Sequence, residues 1–187
     1  MADLLSVIVK PELPSVTQAD AGASRSGALV GLIELLFFAY RDFTSDPDEI
    51  LGEFGFGRAH HRILHFVDRY PGLRVADLLD ILKITKQSLA RVLRQLVSSG
   101  FIEQRLGEAD RRERRLYTTE QGSELARRLL APQIERMRAA LRNAHGETEP
   151  DIVEAFLFAM IEPNGRRQVE TLMAGAARSP QQRKGDR

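Results

Sequence analysis

The chain has 187 residues, of which 43% are hydrophobic, enough for one domain with a real core and an arm. It has no cysteine, which excludes disulfide scaffolds, thiolate nucleophiles and cysteine redox switches. The net charge of +1 hides an uneven distribution: three basic against nine acidic residues over 1–57, thirteen against eight over 58–122, and eleven against nine over 123–187. The positive excess in the middle segment is the footprint expected of nucleic-acid binding.

Residues 1–25 read as a flexible arm. Leu4 to Val9 is apolar but follows acidic Asp3 without a basic region, so it does not resemble a signal peptide. Pro11 and Pro14 oppose a regular helix there. No stretch approaches the roughly 18 apolar residues of a membrane span. These features predict a cytoplasmic protein with no membrane partner.

Ser26 to about Asp42 is predicted to be a long helix. Leu29, Leu32, Ile33, Leu36, Phe37 and Tyr40 fall on one wide face, and Phe38 extends it. That is more apolar surface than a monomer's outer helix needs. Asp46 and Pro47 are predicted to open a separate short helix to about Phe54, since proline suits the first helical position. Arg58 to Tyr70 follows as a helix, ended by Pro71 and Gly72. Its inward set is expected to be Ala59, Ile63, Phe66, Val67 and Tyr70.

Three histidines, His60, His61 and His65, lie on this helix. His61 and His65 are four residues apart, a spacing that can hold a metal ion. No further ligand is marked by pattern; Glu53, Asp68 and His145 are no more than possibilities. Half-exposed histidines near an interface are the simpler expectation.

Val75 to Leu82 has apolar residues at 75, 78, 79 and 82, the i, i+3, i+4, i+7 pattern of a helix. Lys83 and Ile84 make a turn, and Thr85 can cap a second helix from Lys86 to about Ser99, with Gly100 past its end. Leu89, Val92, Leu93, Leu96 and Val97 form the inward stripe. Lys86, Gln87, Ala90, Arg91 and Arg94 lie opposite. No acid occurs from Thr85 to Ser99. A merely solvated face mixes charge signs; an acid-free face of Lys, Gln and Arg suits the major groove of DNA. Two strands follow, Phe101–Arg105 and Arg114–Thr118, and Leu73 to Val75 can add a short third. Between the two long strands sits a loop rich in arginine, which can straddle a phosphate strand and enter the minor groove.

After the hairpin, Thr119 caps a long helix through Leu125, Leu129, Leu130, Ile134, Met137 and Leu141. Gly122 is expected to interrupt it and Pro132 to kink it. Pro150 and Asp151 open a helix to about Met160. Pro163, Asn164 and Gly165 break it before a short helix from Arg167 to Ala174. The tail from Gly175 reads as disordered. The fold class is mainly α with a small β-hairpin wing: a winged helix-turn-helix plus further helices on either side. The expected divisions are 1–25 arm, 26–57 N-terminal helix and linker, 58–122 DNA-binding domain, 123–174 C-terminal helices and 175–187 tail.

Asp110-Arg111-Arg112, then Leu116 and Thr119 to Gly122, resemble the wing signature of the MarR family of winged-helix regulators. The likeness spans about residues 26–172. Phe56 to Arg62, with Ile84 to Ser88, is similar to a PetP-like proteobacterial subgroup. One departure is Thr118, where the family usually has leucine. The resemblance implies a homodimer on a pseudo-palindromic operator of double-stranded DNA, with the helices of 26–57 and 123–174 as the helical dimerisation region. Gln87 and Arg91 are the candidates for base edges, helped by Lys86. Thr85, Ser88 and Arg94 are candidates for phosphates. Arg112 is the candidate for the minor groove, positioned by Asp110, with Arg111 and Arg114 on the backbone. The family also implies a small-molecule effector, in a crevice that Phe37, Tyr40, His61 and His65 could line. A metal-responsive regulator using His61 and His65, or a protein-binding adaptor without DNA specificity, are the alternatives. There is no glycine-rich nucleotide loop and no Ser/His/Asp arrangement, so nothing in the sequence supports an enzyme or a cofactor.

Overall fold

The computed structural model describes residues 18–107, 113–144 and 150–178. Seven helices and three strands follow in the order α1 (Gln18–Gly52), α2 (Arg58–Arg69), β1 (Leu73–Arg74), α3 (Val75–Leu82), α4 (Lys86–Ser98), β2 (Ile102–Leu106), β3 (Arg114–Thr118), α5 (Glu120–Asn143), α6 (Pro150–Ala159) and α7 (Pro163–Arg178). Two compact units divide the chain, Met1–Asp42 and Phe43–Arg187, with the boundary inside α1.

In the first unit, the described part of α1 is apolar on every side. Leu29, Val30, Leu32, Ile33, Leu35, Leu36, Phe37, Phe38 and Tyr40 are all exposed. Successive helical residues lie about 100° apart, so these nine cover the whole circumference.

The second unit holds the core. Ile63, Leu64 and Val67 of α2, Leu78 and Leu82 of α3, and Leu89, Val92, Leu93 and Leu96 of α4 are buried together. Leu51, Phe101, Ile102, Leu116, Leu125, Ala126 and Leu129 complete the cluster. The strands form one antiparallel sheet in the order β1-β3-β2. Leu73 faces Leu116 and Ile102 faces Thr118 across it.

Several boundaries differ from the sequence reading. Helix α1 already includes residues 18–25, expected as arm, and runs on through Pro47 rather than restarting there. Thr44, Pro47 and Leu51 are buried. Their i, i+3, i+7 spacing puts them on one face, and this burial outweighs the helix-breaking tendency of proline. On α2 the buried face is His60, Ile63, Leu64 and Val67, while Ala59 is exposed. The inward stripe is thus turned by one residue from the expected one. Helix α5 is continuous past Gly122 and Pro132. Helix α7 starts at Pro163, a position proline tolerates because its missing N–H has no helical partner there. It also continues to Arg178, into the segment expected as tail.

Candidate nucleic-acid interface

The helix-turn-helix is built by local chemistry. Arg74 N–H donates to Asp77 Oδ2 at 3.0 Å, capping the start of α3. Lys83 ends that helix in a left-handed conformation, φ 51°, and its N–H donates to Leu79 O. Thr85 then caps α4: its Oγ1 accepts from Ser88 N–H at 3.2 Å and donates to Ser88 Oγ at 2.9 Å. Gly100 closes the far end with φ +77°, where a side chain would be strained.

The two faces of α4 separate as the spacing predicts. Leu89 and Leu96 are fully buried and Val92 is 1% exposed. Thr85, Lys86, Gln87, Ser88, Ala90, Arg91 and Arg94 are all exposed. The structure therefore brings together one acid-free outer surface along the first three turns of the helix.

Arg114, at the start of β3, is exposed. Asp110, Arg111 and Arg112 lie outside the described residues. The foot of the wing is held from below. Thr119 N–H donates to Phe101 O at 3.1 Å, and its Oγ1 donates to Gly100 O at 2.6 Å. The same oxygen accepts from Gly122 N–H at 3.0 Å, so one threonine caps α5 and ties it to the end of α4. Thr118, the family departure, hydrogen bonds through its hydroxyl instead of packing like leucine. It donates to Asp68 Oδ1 at 3.1 Å and lies 2.8 Å from Ser123 Oγ.

Two features of this region were not legible from pattern. His60 is only 7% exposed, not half-exposed. Its Nδ1 accepts from Gly57 N–H at 3.1 Å, which leaves Nε2–H to donate to Gln95 Oε1 at 2.9 Å. The ring stacks on Phe56 at 4.5 Å. The ring thus joins α2 to α4. The second feature is Arg74, which grips Asp77 and also reaches Glu113 beside the wing. Those hydrogen bonds, Asp77's foremost, hold the guanidinium above its ordinary pKa, while Arg74 lowers that of Asp77.

The candidates for an effector lie in both units. Phe37 and Tyr40 are exposed on α1. His61 and His65 are half-buried on α2. Burial lowers the pKa of both imidazoles. Mutual repulsion adds to this at His61, and Arg69 adds to it at His65. Among the described residues no third His, Asp or Glu joins them in a cluster able to hold a metal ion. No described helix is long and apolar enough to cross a membrane.

A MarR family model matches residues 54–113. The chain is 47% identical over 165 residues to the HTH-type transcriptional regulator PetP of Rhodobacter capsulatus, covering 82% of this chain and 97% of that protein. A crystal structure of MarR aligns with TM-score 0.58 and 26% identity, over 76% of this chain and 94% of that one. A MarR transcriptional regulator from Methanosarcina mazei Go1 shares the fold at TM-score 0.56 and 21% identity, over 68% of this chain and 86% of that one. The chain belongs to the MarR family and is a MarR-type transcriptional regulator.

Proposed function

We propose that this regulator binds a pseudo-palindromic site on double-stranded DNA as a homodimer, each copy laying α4 in a major groove. The observation that carries the reading is the outer face of α4, exposed and without a carboxylate. Gln87 and Arg91 read base edges, with Lys86 beside them; bidentate side chains of these types match adenine and guanine. Thr85, Ser88 and Arg94 contact phosphates. The wing adds Arg112 in the minor groove, with Asp110 orienting it and Arg111 and Arg114 on the backbone. Residues 58–122 form the reading domain in this scheme.

The second copy covers the apolar surfaces left open in each unit. On α1 these include Leu35 at 63% and Phe37 at 69% exposure, and on α6 Ile152 at 64% and Phe156 at 55%. Burying such side chains contributes about 1.5–3 kcal/mol each, and patches of this kind mark interfaces. Selection from a random duplex pool tests the whole reading. The expected product is an inverted repeat with half-sites about one helical turn apart. A pool that fails to enrich any sequence, bound with equal strength throughout, would instead favour an adaptor that meets an acidic protein.

A further inference from the structure

Three arginines stand in register across the foot of the wing. Arg74 on β1 faces Arg115 on β3, and Arg105 on β2 faces Arg115 from the other side. Like charges directly opposite one another destabilise a ladder unless they are compensated. Arg105 pairs with Glu103. Arg74 pairs with Asp77, Nη2 to Oδ1 at 2.7 Å and Nε to Oδ2 at 2.9 Å. Glu113 is different, because it serves two partners. Its Oε1 accepts from Arg74 Nη1 at 3.3 Å and its Oε2 from Arg115 Nη2 at 3.2 Å.

These side chains sit at the surface: Arg74 is 49% exposed, Arg115 42% and Glu113 30%. Ion pairs this exposed contribute little to the stability of the fold. The fold does not depend on Glu113 alone. Asp77 still holds Arg74 through both its side chain and its backbone N–H. Loss of Glu113 therefore leaves the β1–α3 junction in place and frees charge beside the exposed Arg114.

We infer that Glu113 is a specificity-determining residue, which holds the guanidinium of Arg115 away from DNA phosphates. The inference rests on the DNA-binding reading above. Sequence-blind affinity grows with the number of cations that reach phosphate, whereas regulation depends on the ratio of specific to non-specific binding. Occupying a wing-base arginine with an internal carboxylate limits the first and protects the second.

The test is a set of anisotropy titrations of the full chain against its selected duplex and an unrelated duplex, over a range of salt. For Glu113→Gln, affinity for the unrelated duplex rises on the order of ten-fold near 0.1 M salt. Its log–log salt slope steepens by about 0.9, the contribution of the one phosphate contact that the freed Arg115 adds. Affinity for the selected duplex rises less, so the ratio falls. Glu120→Gln removes one exposed negative charge without freeing an arginine, and its slope stays close to wild type. Arg115→Gln alone also keeps the wild-type slope, because that guanidinium is already withheld.

Weaker binding of both duplexes by Glu113→Gln, or a slope equal to that of Glu120→Gln, would overturn the inference. So would a shallower slope for Arg115→Gln, which is measurable even if the glutamate variant does not fold. A wild-type protein that binds neither duplex would sink the DNA reading itself, and the inference with it, before any substitution is made.

Discussion

Gly122 lies directly against the Phe101 carbonyl: a β-carbon built on the glycine would overlap that oxygen. The contact locks the first turn of α5 to the residue just before β2, alongside the Thr119 cap. Backbone cannot yield as a flexible side chain can. Gly122→Ala is therefore expected to destabilise the chain by about 3 kcal/mol, at the upper end for overpacking. Urea unfolding of the two proteins checks it; a change below about 0.5 kcal/mol, the range of neutral surface substitutions, would contradict the packing described.

The His60–Gln95 bond makes a separate prediction. Gln95→Ala removes the acceptor of a buried imidazole N–H. Leaving such a donor without its partner costs about 1–3 kcal/mol. The loss should show in denaturant midpoints. His60→Ala in the Gln95→Ala background should add less than it does in the wild type, because the pair is already broken.

Acid should unfold the protein through α2. His61 and His65 both have pKa values lowered by burial in the folded state. The unfolded chain then binds protons more readily than the folded one. The stability tied to these groups is fully present above the unfolded value of about 6.5, and is lost as pH falls through the lower folded values. Stability measured from pH 7.5 down to 5 should decline, and His61→Asn with His65→Asn should flatten that decline. An unchanged slope in the double variant would refute the assignment.

Thr85 caps α4 through Ser88 N–H. Thr85→Ala is expected to cost about 1 kcal/mol of stability. It should also weaken binding to the selected duplex, since the first turn of α4 carries Lys86 and Gln87, both proposed to contact DNA. Thr85→Ser, which keeps the oxygen, should restore both, as measured by thermal unfolding and titration.

The helix-turn-helix was legible almost to the residue, for physical reasons. The apolar spacing over Val75 to Val97, a threonine cap and a glycine stop each act within one or two turns, so local sequence carries them. The errors came where distant contacts outweigh local tendency. Pro47 looked like a helix start, but α1 runs through it, with Thr44, Pro47 and Leu51 buried on one face. His60 looked half-exposed until Gly57 N–H and Gln95 supplied partners for both ring nitrogens. Arg74 gave a faint signal, an acid three residues on, yet its tie to Glu113 spans 39 positions and no periodicity marks it. The wing-tip residues Asp110, Arg111 and Arg112 fall outside the described residues.

The most direct test concerns the outer face of α4. Wild type and Arg91→Ala should be titrated against the selected duplex and against duplexes changed at single base pairs. Arg91→Ala is expected to lose about 1–3 kcal/mol on the selected site and to become indifferent to the base pair at one position. Undiminished affinity, with discrimination intact at every position, would show that this face does not read DNA.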